Sequence, residues 1–196
     1  MILFFDTETS GLPRKWNAPI TQSSNWPRLV QIAWIVFNEE GERISKSDYI
    51  IKHENFLIPV EASNIHRITT DKALSEGKDL IEVLNKFNIE IDNCNILVAH
   101  NMNFDSKIIG AEMIRKNLTT NLFSKQLICT MEVSSAFCKI PGNYGYKWPK
   151  LSELYIKLFG EDFKEAHNAS SDIEATAKCF WKLKELNIIK YSRTSP

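Results

Sequence analysis

The sequence has no long hydrophobic run and no excess of charge of either sign. Nowhere in its 196 residues do the roughly 18 consecutive apolar residues of a membrane span occur. The first residues already have the character of a strand, which leaves no room for a signal peptide. We therefore expect a cytoplasmic protein without a membrane partner.

Closely spaced cysteines are also missing. Cys94, Cys129, Cys138 and Cys179 form no C-x-x-C pair and lie mostly in apolar segments. This pattern predicts free buried thiols in a reducing compartment, and it argues against disulfides or a zinc site.

Acidic and basic residues balance at 24 each. This balance counts against tight, sequence-independent binding to long nucleic acid, although local basic patches remain possible. The length and the 43% hydrophobic content fit one domain with a substantial core. Residues 1–186 are expected to form that domain, and residues 187–196 a short frayed tail.

Hydrophobic periodicity predicts strands alternating with helices after an opening hairpin, which turns at 38–41. This order is typical of a mixed α/β sheet flanked by helices. The predicted strands lie near 2–6, 29–37, 43–51, 96–99 and 126–129; the predicted helices lie near 104–116, 130–137, 150–159 and 170–186, with a further helical stripe at Leu80, Ile81, Leu84 and Phe87.

Carboxylates follow or lie within apolar segments at three places. Asp6 and Glu8 end the first apolar run, and alternate residues of a strand point to the same side. Asp105 follows the segment 96–99. His167 and Asp172 precede a helical stripe that contains Ile173, Ala177, Phe180 and Leu183. Taken singly, each cluster could be a turn or a helix start.

Taken together, the clusters predict a metal site. Carboxylate oxygens are ligands suited to Mg²⁺ or Mn²⁺, whereas zinc prefers histidine and cysteine. Carboxylates brought together would repel one another without a divalent cation. A histidine beside such a site is a plausible general base.

The motifs resemble those of the DEDD-type 3′-to-5′ exonucleases, in the DEDDh branch whose last motif carries histidine. The matching segments are 6–12 (DTETSGL), 100–105 (HNMNFD) and 167–172 (HNASSD), in the family's order, together with 64–69 (NIHRIT), where Arg67 replaces the family's glycine. The resemblance spans about residues 1 to 186.

This resemblance implies a ribonuclease H-like fold and a metal-dependent exonuclease that releases nucleoside 5′-monophosphates. Asp6, Glu8, Asp105 and Asp172 would hold two Mg²⁺ or Mn²⁺ ions, and His167 would accept a proton from the attacking water. A pocket for the terminal nucleotide is implied as well, with residues Thr7, Thr9, Leu12, His66, Asn101 and Phe104. For Leu12 and Phe104, plain core packing is an equally good interpretation.

Two loops have no counterpart in the family pattern. Residues 13–28 carry two tryptophans among basic residues; they could stack bases, but folding onto the domain surface is slightly favoured. Residues 139–150 are rich in glycine, aromatics and lysine. We interpret them as a flap that contacts substrate, a hypothesis tested by replacing Tyr146 and Lys147.

The expected substrate is the 3′ end of a single-stranded or frayed DNA. RNA or short oligonucleotides are the nearest alternative, since no motif reveals contacts to a 2′-hydroxyl. A proofreading subunit bound to a DNA polymerase or a repair partner is another alternative, and the brief tail favours an independent enzyme. A silent binding module is disfavoured because all five DEDDh positions are filled. Oligomeric state is left open.

Overall fold

A mixed five-stranded sheet forms the centre of the protein, in a computed structural model that describes residues 1–163 and 168–191. Its strands are β1 (Ile2–Thr9), β2 (Leu29–Phe37), β3 (Arg43–Ile50), β4 (Ile96–Ala99) and β5 (Gln126–Cys129). The order is β3-β2-β1-β4-β5; β1 pairs antiparallel with β2 and parallel with β4. The carboxyl ends of β1 and β4 therefore share one edge of the sheet, called here the catalytic edge.

The helices cover both faces of this sheet, as expected for a mixed α/β fold. They are α1 (Val60–His66), α2 (Thr70–Glu76), α3 (Leu80–Asn93), α4 (Met102–Arg115), α5 (Thr130–Val133), α6 (Ser135–Cys138), α7 (Leu151–Phe159) and α8 (Ala169–Glu185). A small hairpin, β6 (Pro141–Gly142) and β7 (Gly145–Tyr146), precedes α7.

Strand β1 is buried on both faces because it lies in the middle of the sheet. Leu3 and Phe5 point into a core with α3 and α4, whereas Ile2 and Phe4 point into a second core with α8. A strand covered on both sides reads as a continuous hydrophobic run. This explains why the first five residues are all apolar and why only the following residues can carry charge.

The prediction of strands at 29–37, 96–99 and 126–129 is confirmed residue for residue. The long helix predicted over 130–137 is divided in two at Ser134, and the helices of the segment 60–76 were not predicted. These helices are too short to show a clear apolar stripe. Ile81 is exposed, so it does not belong to the buried stripe of α3.

The predicted frayed tail is wrong for its first residues. Ile189 is buried, and the ring of Tyr191 stacks on Phe180 at 5.9 Å between centroids. Residues 188–191 thus extend the core around α8; residues 192–196 lie outside the described residues. The four cysteines are free and buried, as predicted. Among the described residues, no helix is long and apolar enough to cross a membrane.

Candidate active site

Asp6 and Glu8 lie on β1 near the catalytic edge. Asp6 pairs in register with Ala33 and Glu8 with Gln31, and a bulge follows between Glu8 and Thr9. Because strand side chains alternate, both carboxylates point to the same face as Phe4, which is the face covered by α8. The apolar run thus ends where two acidic groups can reach solvent, and both are partly exposed.

Asp172 joins these two carboxylates from the first turn of α8. This helix begins after Asn168, whose side chain accepts a hydrogen bond from the amide of Ser170 at 3.0 Å. Carboxylate oxygens of Asp6, Glu8 and Asp172 lie within 4.8 Å of one another. Three of the predicted metal ligands therefore converge, from two ends of the sequence.

Asp105 comes to the site from the other face of the sheet. It lies in the first turn of α4, and its Oδ1 accepts hydrogen bonds from the Thr7 hydroxyl at 2.6 Å and the Thr7 amide at 3.2 Å. Thr7 points away from its neighbours Asp6 and Glu8 because side chains alternate along β1. This contact fixes the fourth carboxylate against the strand that carries the first two.

The carboxylates raise one another's pKa. Burial is the main cause for Glu8, whose pKa rises to about 8, with repulsion from Asp172 and Asp105 adding to it. Burial also raises the pKa of Asp105 to about 7, although the Thr7 hydrogen bonds oppose the shift. For Asp6, burial and its three acidic neighbours raise the pKa well above its ordinary value. Repulsion among these buried carboxylates makes the cluster unfavourable without a cation. A bound divalent cation would therefore stabilise it.

Oxygen donors alone make up this cluster, and that set fits a hard cation such as Mg²⁺ or Mn²⁺ better than zinc. His167, the fifth predicted catalytic residue, lies outside the described residues, which stop at Phe163 and resume at Asn168. Its proposed role as a general base therefore remains a prediction.

A cleft of about 440 Å³ adjoins the carboxylates and is called here the nucleotide cleft. Its size is within the ~300 to 1,000 Å³ range of small-molecule sites. Leu12 is 73% exposed at its rim, so it is not a core residue. Phe104 is half-buried and packs on the core with Trp16 beside it, 5.8 Å between ring centroids. The cleft is lined by Thr7, Glu8, Thr9, Ser10, Gly11, Leu12, Pro59, Glu61, Ala62, Ile65, His66 and Phe104.

The other predicted substrate residues have clear structural partners. Thr9 donates to the Gly11 carbonyl at 2.7 Å and so holds the turn after β1. His66 is buried, its Nδ1 accepts from the amide of Ile68 at 3.2 Å, and burial lowers its pKa. Asn101 has φ 98° and caps α4 through its carbonyl, which accepts from the amides of Phe104 and Asp105; it does not line the nucleotide cleft.

Arg67 occupies the position of the family's glycine without losing the glycine conformation. Its φ is 63° and its ψ 20°, in the left-handed region where a helix commonly ends. An arginine there costs about 1 kcal/mol relative to glycine. The turn after His66 is therefore kept despite the substitution.

The loop 13–28 is docked on α4. Trp26 is buried, and Arg115 donates to its carbonyl at 2.6 Å. Asn25 exchanges hydrogen bonds with the backbone of Lys15 at 2.8 and 2.9 Å. The interpretation of this loop as folded onto the domain surface thus holds for Trp26, whereas Trp16 is 46% exposed beside Phe104.

The loop 139–150 forms the β6–β7 hairpin, with exposed aromatic side chains. Tyr144 is fully exposed, and Tyr146 and Trp148 are more than half exposed. Its base is tied to the catalytic edge, because Nε2 of His100 donates to the Pro149 carbonyl at 3.0 Å. A carbonyl can only accept, and the ring is neutral near pH 7 because burial lowers the pKa of His100 to about 4. Nδ1 of His100 is therefore the nitrogen that accepts from the Thr130 hydroxyl at 2.9 Å.

Two features of the site were not predicted from the sequence. One is the Thr7 to Asp105 contact, because no periodicity pairs residues so far apart in sequence. The other is the wall that α1 supplies to the nucleotide cleft through Pro59, Glu61 and Ile65. The only signal for this wall was the motif segment 64–69, which contains Ile65 but neither Pro59 nor Glu61.

Known proteins are similar to this chain in sequence or in fold. DNA polymerase III PolC-type of Staphylococcus aureus is 28% identical over 198 residues, which cover 96% of this chain and 12% of that polymerase. The chain thus spans only a small part of this relative. Exonuclease I of E. coli, solved with a dA16 oligonucleotide, superposes with a TM-score of 0.73 at 18% identity, covering 94% of this chain and 40% of that one. Exonuclease X, solved with 5′ overhanging duplex DNA, gives 0.62 at 21%, covering 95% and 93%.

These folds support the ribonuclease H-like architecture predicted from the motifs. The sequence itself matches the family RNase_T, described as exonuclease, over residues 3–180, which is most of the chain. The chain therefore belongs to the RNase_T exonuclease family, within the DEDD superfamily of 3′-to-5′ exonucleases, and it is a hydrolase of that class.

Proposed function

We propose that this protein is a metal-dependent 3′-to-5′ exonuclease that releases nucleoside 5′-monophosphates from single-stranded or frayed DNA ends. One observation carries the proposal. Carboxylates of Asp6, Glu8 and Asp172 converge within 4.8 Å, with Asp105 held beside them by Thr7, and a cleft of nucleotide size opens next to them.

The family implies a divalent metal, and the acidic cluster fits one. Asp6, Glu8, Asp105 and Asp172 would hold two Mg²⁺ or Mn²⁺ ions, which when bound stabilise the entering and leaving oxygens of an in-line displacement at phosphorus. In this proposal Thr7 aims Asp105 at the site and favours its carboxylate form, since both of its hydrogen bonds oppose the rise in pKa that burial causes.

His167 is proposed to accept the proton of the attacking water. Its place in the sequence supports this role, because it directly precedes Asn168, the residue that caps α8 and so positions Asp172. A histidine is the usual general base near neutral pH. The leaving group is the 3′-oxygen of the shortened strand.

The nucleotide cleft is proposed to hold the terminal nucleotide. Leu12 and Ile65 offer apolar surface for the base, and both are more than half exposed at the rim. Thr7 and Glu8 lie at the end of the cleft that meets the carboxylates, so the phosphate would lie there. His66, neutral because burial lowers its pKa, and Thr9 would border the sugar.

DNA is the proposed substrate rather than RNA. The supporting observations are that the relative is named as a DNA polymerase and that Exonuclease I and Exonuclease X were solved with DNA. Comparing matched DNA and RNA strands tests this preference directly.

The same relative motivates a proposal about partners and domains. We propose that residues 1–186, together with residues 188–191 that pack on them, work as one exonuclease domain and that a DNA polymerase or a repair protein is a candidate partner. The sequence similarity supports this only for the exonuclease part, since 12% of the polymerase is covered.

The deciding experiment is gel analysis at single-nucleotide resolution of 5′-labelled DNA and RNA of one sequence. Reactions contain Mg²⁺, Mn²⁺ or EDTA, and Asp105→Asn is the inactive variant. Asp71→Asn, an exposed aspartate in the first turn of α2, is the matched control. A metal-dependent ladder that shortens from the 3′ end and vanishes only in Asp105→Asn supports the proposal. Folded wild-type protein that gives no ladder on either strand would refute it.

A further inference from the structure

A second cleft lies beside the nucleotide cleft. The segment 10–12 separates the two clefts, since its three residues line both. This second space, about 390 Å³, is called here the arginine cleft. Arg14, Arg28 and Arg115 line it together with Ser24, Asn25, Trp26 and Pro27. It is formed mainly by the loop 13–28, which has no counterpart in the motif pattern.

Two of the three arginines are fixed from behind by one carboxylate. Glu112 on α4 is fully buried, and its Oε1 lies 2.8 Å from Nε of Arg28 and 2.9 Å from a terminal nitrogen of Arg115. Glu54 lies 3.8 Å from Arg28 but also pairs with Lys116. Two guanidinium groups therefore share Glu112, and Arg14 adds a third positive charge, so the cleft keeps an excess of positive charge.

Arg14 supplies the accessible charge of the cleft. Its side chain is exposed and makes no ion pair with any residue in 1–163 or 168–191. Its backbone is nonetheless fixed, because its amide donates to the Asn25 carbonyl at 3.1 Å. A guanidinium held at the mouth of a cationic cleft is suited to a phosphate, which it can bind through two parallel hydrogen bonds.

The position of the arginine cleft indicates which phosphate it would take. The nucleotide cleft meets the carboxylates at Thr7 and Glu8, and it meets the arginine cleft at Ser10, Gly11 and Leu12. The cleaved strand has to leave from the carboxylate end, because its scissile phosphate lies there. The terminal nucleotide is the last residue of the cleaved strand, so this strand does not extend toward the arginine cleft. In a duplex with a recessed 3′ end, only the complementary strand continues in that direction.

We propose that the arginine cleft binds backbone phosphates of a complementary strand that continues past the 3′ end as a 5′ overhang. This inference rests on the proposed function, since it assumes that the terminal nucleotide occupies the nucleotide cleft. It assigns the loop 13–28 to recognition of recessed duplex ends. The space is larger than one phosphate needs and admits a sugar-phosphate step.

The test measures binding, so that it does not depend on catalysis. In an Asp105→Asn background, fluorescence anisotropy compares three DNAs: a single strand, a flush duplex and a duplex with a recessed 3′ end and a 5′-hydroxyl overhang. Arg14→Gln is expected to raise Kd for the overhang duplex about fivefold relative to the single strand, the effect of one exposed charged contact. The plot of log Kd against log salt should become shallower by about one for that duplex.

Matched variants and a modified DNA isolate the phosphate contact. Arg14→Lys should restore part of the affinity because it keeps the charge. Lys190→Gln removes an exposed charge beside the last turns of α8, a 17-residue helix about 25 Å long whose first turn carries Asp172, and should change nothing. Uncharged methylphosphonate linkages in the overhang should weaken DNA binding by the parent protein as much as Arg14→Gln does. In the Arg14→Gln variant they should cause no further loss of affinity.

The possible outcomes separate this inference from the proposed function. Equal weakening of the single strand and the overhang duplex would assign the cleft to the cleaved strand and overturn the inference. No weakening of any DNA would show that the cleft is not a phosphate site. Either result would leave the proposed function intact. Failure of the proposed function would instead appear as a missing 3′-to-5′ ladder in the gel assay, while Arg14→Gln still weakened DNA binding as expected.

Discussion

The Thr7 hydroxyl donates to Oδ1 of Asp105 at 2.6 Å, and the Thr7 amide donates to the same oxygen at 3.2 Å. Thr7 comes from β1 and Asp105 from α4, so two elements far apart in sequence are joined at one oxygen. The strand that carries Asp6 and Glu8 therefore also aims the carboxylate that approaches from the opposite face. Thr7 acts through Asp105 and is a positioning residue.

Replacing Thr7 with valine should lower activity without unfolding the protein. Valine has the same shape, but it removes the shorter of the two hydrogen bonds to a charged group, a contact that contributes about 1.5 to 3 kcal/mol. We expect kcat/KM to fall about tenfold to a hundredfold, with the loss reduced at high Mg²⁺. Thr7→Ser keeps the hydroxyl and should stay near the parent value. Equal losses in both variants would contradict the positioning role.

The acidic cluster should make the metal-free protein less stable as pH rises. The pKa of Glu8 in the folded protein is about 8, chiefly through burial, and that of Asp105 is about 7. Both exceed the values of 4.5 and 3.8 for the free groups, so the folded state holds protons that the unfolded state has lost. Stability therefore falls as pH rises through the folded-state pKa values.

Urea unfolding in EDTA at about pH 6.5 and about pH 8 checks this trend. His100 opposes it only weakly: burial lowers its folded-state pKa from 6.5 to about 4, so only its unfolded form loses protons in this window, and that form is already half deprotonated at pH 6.5. The free energy of unfolding should be lower at the higher pH. Added Mg²⁺ should stabilise the protein more at pH 8 than at pH 6.5. Glu8→Gln should make the free energy of unfolding depend less on pH. An unchanged dependence would contradict this explanation.

Glu112→Gln should destabilise the protein far more than a surface change of the same kind. The Glu112 carboxylate is fully buried and contacts Arg28, Arg115 and the amide of Leu29 at 3.0 Å. Breaking such a buried pair costs about 3 to 5 kcal/mol. Glu82→Gln on α3 removes an exposed pair with Lys86 and should cost under about 0.5 kcal/mol.

Urea unfolding measures both variants. Limited proteolysis with trypsin reports on the loop itself, because Arg14 and Lys15 lie within it. Glu112→Gln should be cleaved there faster than Glu82→Gln. If the two variants have the same free energy of unfolding, the buried ion pair does not hold this loop in place.

Local sequence patterns predicted the parts of the fold that local physics determines. The apolar run before Asp6 and the segment 96–99 were recognisable because central strands are buried on both faces. The stripe Ile173, Ala177, Phe180 and Leu183 was recognisable because its helical spacing faces one core, and all four are buried. The candidate carboxylates were then recognisable because they lie next to the ends of these segments.

Contacts between distant segments could not be predicted in the same way. Glu112 reads as an ordinary helix residue, and only the folded loop 13–28 makes it a buried partner for Arg28 and Arg115. Leu12 could equally have been a core residue, because its exposure depends on the turn held by Thr9. Such features depend on tertiary packing, which neither periodicity nor spacing encodes.

His167→Ala should separate metal binding from turnover. If His167 accepts the proton of the attacking water, kcat should fall by about 10² to 10⁴, the usual effect of losing a general base. Metal affinity, measured by calorimetry with Mn²⁺, should stay close to the parent value because the carboxylates are unchanged. Asp172→Asn should lower both quantities. Turnover of His167→Ala near the parent rate would show that His167 is not the general base.

The β6–β7 hairpin should contribute to binding of longer strands only. Tyr144 and Tyr146 are exposed, and the hairpin base is tied through Pro149 to His100 at the catalytic edge. Stacking on an aromatic side chain is worth about 1 to 3 kcal/mol per base. Tyr144→Ala with Tyr146→Ala should therefore raise Kd for a long single strand about tenfold or more.

This pair of substitutions is a cleaner test than Tyr146→Ala with Lys147→Ala. Lys147 pairs with Glu153 at 2.6 Å, and Glu153 also accepts from the amide of Lys150 at 2.7 Å to cap α7. Losing Lys147 would disturb a helix end as well as the hairpin. A two-nucleotide substrate serves as the control, because it fills the nucleotide cleft without extending to the hairpin. If both lengths are weakened equally, the hairpin supports the site as a whole; if neither is weakened, its aromatics do not contact substrate.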